Sequence, residues 1–164
     1  MAMSEMDYMN GGGGDIGTLD SIIPYMTSAT APSGSVTAST YYGGGNYNPY
    51  YAFGGISQQV AYGWLIASGD TAQWIQYTYP SGTTKTAKMV MFNYRDNSAG
   101  CTCTKVEGYD GSTWTKLNDE NITITKNEFV VAMLNNKTAY KAYKFTFTGM
   151  TTAGWGISIR LFGE

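Results

Sequence analysis

The side chains best suited to recognition chemistry lie in two short stretches. The first, TYYGGGNYNPYYAFGG (residues 40–55), sets five tyrosines and a phenylalanine among glycines with no charged residue. Tyrosine joins a flat apolar face to a hydroxyl that both donates and accepts, at little entropic cost, which suits sugar rings and protein surfaces alike. Two readings compete: tyrosines on a loop as a contact surface, or tyrosines tucked beneath it as core. The second stretch, NYRDNSAG (residues 93–100), supplies Asn93, Arg95, Asp96 and Asn97, polar groups able to direct hydrogen bonds to hydroxyls. A solvated turn is the competing reading there.

Other chemistries are excluded or weakened by composition. The chain has no histidine, so His-based zinc sites, Ser-His-Asp triads and Cys-His dyads are ruled out. Cys101 and Cys103 form CTC, a spacing that puts both thiols on one face of a strand, poorly placed for a mutual disulfide. Two small buried residues are expected. The acidic residues, such as Asp70, Asp96, Glu107, Asp110, Asp119 and Glu120, fall in turns or at strand ends without the paired arrangement that glycoside hydrolysis needs, so no enzyme is expected. With a formal charge of -2 and scattered basic residues, neither nucleic acid nor a membrane is an expected partner. No apolar run approaches the roughly 20 residues of a membrane span, and the opening MAMSEMDYMN lacks the features of a secretory signal.

Elements that position these residues follow from a period-two pattern. At 164 residues, one domain with a short appendage is expected. WGISIRLF (155–162) puts Trp155, Ile157, Ile159 and Leu161 on one face, and YKFTFT (143–148) does so with Tyr143, Phe145 and Phe147. QWIQYTY (73–79), AKMVMFN (87–93), CTKVEGY (103–109) and FVVAML (129–134) are further strands, separated by turn signals such as YPSG and YDGS. The fold class is therefore all-β, a two-sheet antiparallel sandwich or barrel over residues 27–164. Residues 1–26 stand apart: GGGGD (11–15) opposes ordering, so 1–17 is expected to be a flexible arm, and LDSIIPYM (19–26) an apolar lead-in on the domain edge. Trp64, Trp74 and Trp114 are expected as core anchors, with Phe145, Phe147, Ile157 and Ile159 also inward.

In order and spacing, MTSATAPSGSVTAS (26–39), YYAFGG (50–55), GWLIAS (63–68), QWIQYTYP (73–80), VEGYDGSTWTKL (106–117), AYKAYKF (139–145) and ISIRLFG (157–163) resemble the discoidin-like, or coagulation-factor 5/8 type C, domain. The resemblance spans residues 26–163, and its most specific piece is YDGSTWTKL, similar to the family's S-N-D-G-x-x-W hairpin, supported by Tyr140 and Tyr143. It implies the galactose-binding-like jelly roll. It also implies that residues 40–49 form a loop at the end of the sandwich where relatives hold sugars, lipids or proteins. On that footing Tyr51 and Phe53 are framework, while Tyr42, Tyr47 and Tyr50 join Asn93, Arg95 and Asp96 as the expected ligand-binding set. The family's A-F-D-G reads Ala52-Phe53-Gly54-Gly55 here. Gly54 in place of the aspartate removes a hard oxygen ligand for calcium, so no cofactor is expected and backbone carbonyls alone remain for a weak ion site.

The lead-in IIPYMTSATAPSGSVTAS, with the glycine run before it, resembles discoidin-like modules of tailed-bacteriophage structural proteins. The resemblance implies a virion location, an amino-terminal arm that contacts other virion proteins, and a homo-oligomer on the particle. Two functions follow from it: a non-catalytic adhesion module for host surface polysaccharide, or a decoration or fibre component without glycan binding. Fold alone does not choose between them.

Overall fold

In a computed structural model of the chain, described for residues 20–43, 47–54, 63–69, 71–95 and 99–164, ten strands build two facing antiparallel sheets. The four-stranded sheet has the order β1 (Asp20–Ser21), β10 (Gly156–Gly163), β4 (Ala87–Arg95), β8 (Phe129–Met133). The six-stranded sheet runs β2 (Ser35–Ala38), β3 (Gln73–Thr78), β9 (Ala142–Thr148), β5 (Cys101–Tyr109), β6 (Trp114–Lys116), with β7 (Ile122–Ile124) also on β5. The antiparallel sandwich expected from the period-two pattern, with the jelly roll that the resemblance implies, is what the chain forms. One 3-10 turn, Pro49–Phe53, is the helical exception among the described residues.

Alternation sets the core. Tyr143, Phe145 and Phe147 of β9 are fully buried, as are Ile75 and Tyr77 of β3 and Phe92 and Tyr94 of β4. Ile157, Ile159 and Leu161 of β10 face them, which bears out the inward assignment of Phe145, Phe147, Ile157 and Ile159. Rings meet edge-on across the layer: Phe92 lies 5.7 Å from Phe147 and 6.1 Å from Phe145, the geometry the aromatic quadrupole favours. The lead-in goes deeper than the domain edge, because Ile22, Ile23 and Met26 belong to the core cluster. Cys101 and Cys103 are buried, unbridged strand residues, as read from CTC. Residues 1–17, expected to be a flexible arm, lie outside the described residues.

Three tryptophan assignments are corrected. Trp74 and Trp114 are half-buried on the outer face of the six-stranded sheet rather than in the core. For Trp114 the register decides: it pairs with Tyr109, one step beyond Gly108, and the inward space at Gly108 is filled by the Tyr140 ring. Trp114 instead stacks on Tyr109 at 4.9 Å with the Lys144 ammonium over its ring, and Lys144 also pairs with Glu107 at 3.4 Å. Trp74, paired with Thr146, alternates outward between the buried Gln73 and Ile75. Trp155, expected to share a face with Ile157, is instead 43% exposed. Trp64 is the true anchor, fully buried and packed on Phe147.

Candidate functional site

The site is built at one end of the sandwich. Asp20 of β1 pairs with Gly163 at the end of β10, which marks one pole of the sandwich. The opposite, distal pole gathers the exit of β2, the start of β3, the end of β4 and the start of β10.

A hydrogen-bonded backbone ladder crosses this pole. Ser39 N–H donates to the Trp74 carbonyl at 2.9 Å, while the Ser39 and Thr40 hydroxyls both donate to the buried Gln73 side-chain oxygen at 2.8 and 2.7 Å. The Trp64 indole N–H then donates to the Thr40 carbonyl at 2.7 Å, and Tyr42 N–H to the Leu65 carbonyl at 2.8 Å. On the other side of the same segment, Gly63 N–H donates to the Trp155 carbonyl at 2.8 Å, and Trp64 exchanges two bonds with Ile157 at 3.0 Å. Trp155 N–H donates in turn to the Arg95 carbonyl at 2.9 Å. Glycine is required where these backbones touch: a Cβ at Gly63 would lie 2.6 Å from the Ile157 carbonyl oxygen.

Three large aromatics project from this ladder into solvent: Tyr41 at 49% exposure, Tyr42 at 48% and Trp155 at 43%. Tyr42 and Trp155 are bonded to residues 63–65 from two sides, so two strand spacings put their backbones about 10 Å apart, the reach of a short oligosaccharide. Tyr47 braces Tyr42 edge-on at 5.8 Å and 87°. The backbone carrying them is fixed by the Gln73 and Trp64 bonds, so little ordering remains when a ligand arrives. An open groove of 560 Å³ lies on the same pole beside β5, lined by Thr102, Thr123, Thr125, Lys126 and Thr148, and offers hydroxyls.

The expected ligand set divides. Tyr42 and Tyr47 come together at the rim, and the backbone of Arg95 adjoins it at the end of β4, where its carbonyl accepts from Trp155 N–H. Tyr50 does not: it packs partly buried on the core and lies 4.4 Å from Tyr51. The hydrogen-bonded Tyr51 hydroxyl, and burial after it, hold the Tyr50 phenol above its ordinary range. Asn93 does not either, because β4 runs on to Arg95 and the loop starts later than the polar run suggests. Asn93 is buried; its side-chain amide donates to the Glu128 carbonyl at 3.0 Å and its oxygen accepts from Arg95 Nε at 3.3 Å. Asp96 and Asn97 lie outside the described residues. The rim residues that sequence reasoning missed are Tyr41 and Trp155. A signal for Trp155 was present in AGWG, an aromatic between two glycines like those that drew attention to the tyrosines.

Among the described residues no three His, Cys, Asp or Glu side chains group as a metal site. Glu107 is committed to Lys144, and Asp110 to the turn it caps, where its carboxylate accepts from Ser112 and Thr113 N–H at 2.7 and 2.8 Å. Those bonds hold the Asp110 carboxyl below its ordinary value.

No protein family matches the sequence, and no curated protein does. Solved structures do resemble it. Chitosan-binding module 1 of a chitosanase/glucanase from Paenibacillus sp. IK-5 aligns with a TM-score of 0.60 at 19% identity, over 88% of this chain and 99% of that one. The family 32 carbohydrate-binding module of NanJ from Clostridium perfringens, in complex with galactose, aligns at 0.57 and 11% identity over 79% and 93%. Another C. perfringens protein, in complex with GalNAc-β-1,3-galactose, aligns at 0.57 and 12% identity over 80% and 95%. At these identities the likeness establishes the fold alone, an antiparallel jelly-roll sandwich.

Proposed function

We propose that the protein is a non-catalytic carbohydrate-binding module that attaches a bacteriophage virion to host surface glycans. The observation that carries the binding part is the distal rim, where Tyr41, Tyr42 and Trp155 stand exposed on a backbone fixed from within, at the pole away from the Asp20–Gly163 pairing. Apolar faces there take the sugar ring, while Arg95 and the threonine-lined groove supply directed hydrogen bonds. Solved structures of the same fold, in complex with galactose and with GalNAc-β-1,3-galactose, support the ligand class. The virion setting is supported by the likeness of the lead-in IIPYMTSATAPSGSVTAS to phage structural modules, with residues 1–17 as the arm that anchors to other virion proteins.

Binding of the purified protein to host cells, with and without their capsular or wall polysaccharide, tests the adhesion reading, and immunogold labelling of particles tests the location. Binding that disappears with the polysaccharide supports it. Labelled particles with no polysaccharide-dependent binding would transfer the role to decoration or assembly.

A further inference from the structure

The threonines of the open groove beside β5 are in register with one another. Thr102 of β5 pairs with Thr123 of β7 on one side and with Thr148 of β9 on the other. Their chain neighbours Cys101, Cys103, Ile124 and Phe147 are buried, so alternation turns all three threonines to the outer face of the six-stranded sheet, where they line the groove. They form one row across three strands, two strand spacings or about 10 Å long, with Thr125 also in the lining. Thr104, two residues along the same face, donates its hydroxyl to the Thr146 carbonyl at 3.2 Å, whereas the hydroxyls of the row make no hydrogen bond to the described residues.

Resting on the glycan-binding reading of the rim, we propose that this row is a second subsite, which holds an internal stretch of an extended polysaccharide laid across the strands. The strand repeat of about 4.8 Å is close to the advance per pyranose in an extended β-linked chain, so each successive sugar meets a threonine. A threonine hydroxyl both donates and accepts, and serves a sugar hydroxyl in either role. Its branched Cβ is stiff at χ1, which leaves little to order on binding. Gly100 and Gly149 line the same groove, and a Cβ at Gly100 would collide with the Ile124 carbonyl oxygen, so backbone in close approach forms part of the floor. A peptide would need an open strand edge or apolar pockets at alternate positions, and a row of hydroxyls on the face of three paired strands offers neither.

The full chain is titrated with chitosan and with galactan, each as a disaccharide and a hexasaccharide, while amide chemical shifts are followed. A triple variant, Thr102→Val with Thr123→Val and Thr148→Val, is titrated beside it; valine keeps the shape and strand preference of threonine without the hydroxyl, so its melting temperature should match the parent's. The parent is expected to hold one hexasaccharide about tenfold tighter than its disaccharide, the gain that two or three further hydrogen bonds supply, and the triple variant to bind both equally. Shifts at residues 102, 123 and 148 are expected with the hexasaccharide alone, and at 40–43 and 155 with both lengths. A triple variant that keeps the length gain, a parent without one, or a row silent to the hexasaccharides would overturn the proposal, and rim shifts from the disaccharide would then leave the rim reading standing. Row shifts without rim shifts would overturn the rim reading and uphold the row. A parent that binds no sugar of the set would overturn both.

Discussion

Cys103 shows most simply what burial does to a single group in this fold. Burial, with the neighbouring Cys101 second, pushes its thiol well above the ordinary value. Neither cysteine is therefore expected to react with a thiol reagent at pH 8 until denaturant is added; rapid labelling of the native protein would show the strand to be open. Tyr79 and Tyr143 are raised in the same direction, burial leading in both. Because their folded values exceed their unfolded ones, the stability they contribute is complete below the unfolded phenol value of about 10 and is lost as pH rises beyond it. Thermal melts are expected to be flat from pH 7 to about 9 and to fall steeply above about 10; a melting temperature indifferent to alkali would contradict this. At this scale the sequence was a partial guide. Tyr42 and Tyr47 were legible as rim residues because aromatics in a glycine-rich stretch cannot all be hidden. Trp155 was misread because alternation was carried through Gly156, whose φ of 81° resets which way the preceding side chain points.

Among the elements, the β5–β6 hairpin separates what pattern can show from what it cannot. YDGS was legible as its turn, since Asp110 caps the loop and Gly111 takes a φ of 117°. The side of the sheet on which Trp114 falls was not. That depends on the register with Tyr109 and on Tyr140, distant in sequence, filling the space at Gly108. Trp114→Ala therefore removes a ring stack and a cation–π contact rather than a core plug, and should cost about 1–2 kcal/mol in urea unfolding. Trp64→Ala empties a fully buried site and should cost about 3–5 kcal/mol. Equal losses would contradict the assignment of Trp114 to the outer face. The period-two strands themselves were read nearly in full, because half-buried sheets impose alternation residue by residue. The polar run at 93–95 was taken for loop because a buried asparagine bonded to a main-chain carbonyl cannot be told from a solvated one by type alone.

At the scale of the whole molecule, the openness of the rim sets how tightly one copy can hold a sugar. An open rim of a few aromatics should hold a sugar with a Kd of roughly 0.1–1 mM, about 4–5.5 kcal/mol, so adhesion depends on several copies acting together.

The central claim, that the distal rim binds glycan, is tested most directly by amide chemical-shift mapping while galactose, GalNAc-β-1,3-galactose or chitosan oligosaccharides are titrated in. Saturable shifts are expected at residues 40–43, 63–65 and 155, and are expected to vanish in Tyr42→Ala and Trp155→Ala, whose melting temperatures should fall by no more than a few degrees. Shifts confined to another surface, or a rim silent to every sugar offered while intact host polysaccharide still binds in the two variants, would contradict it.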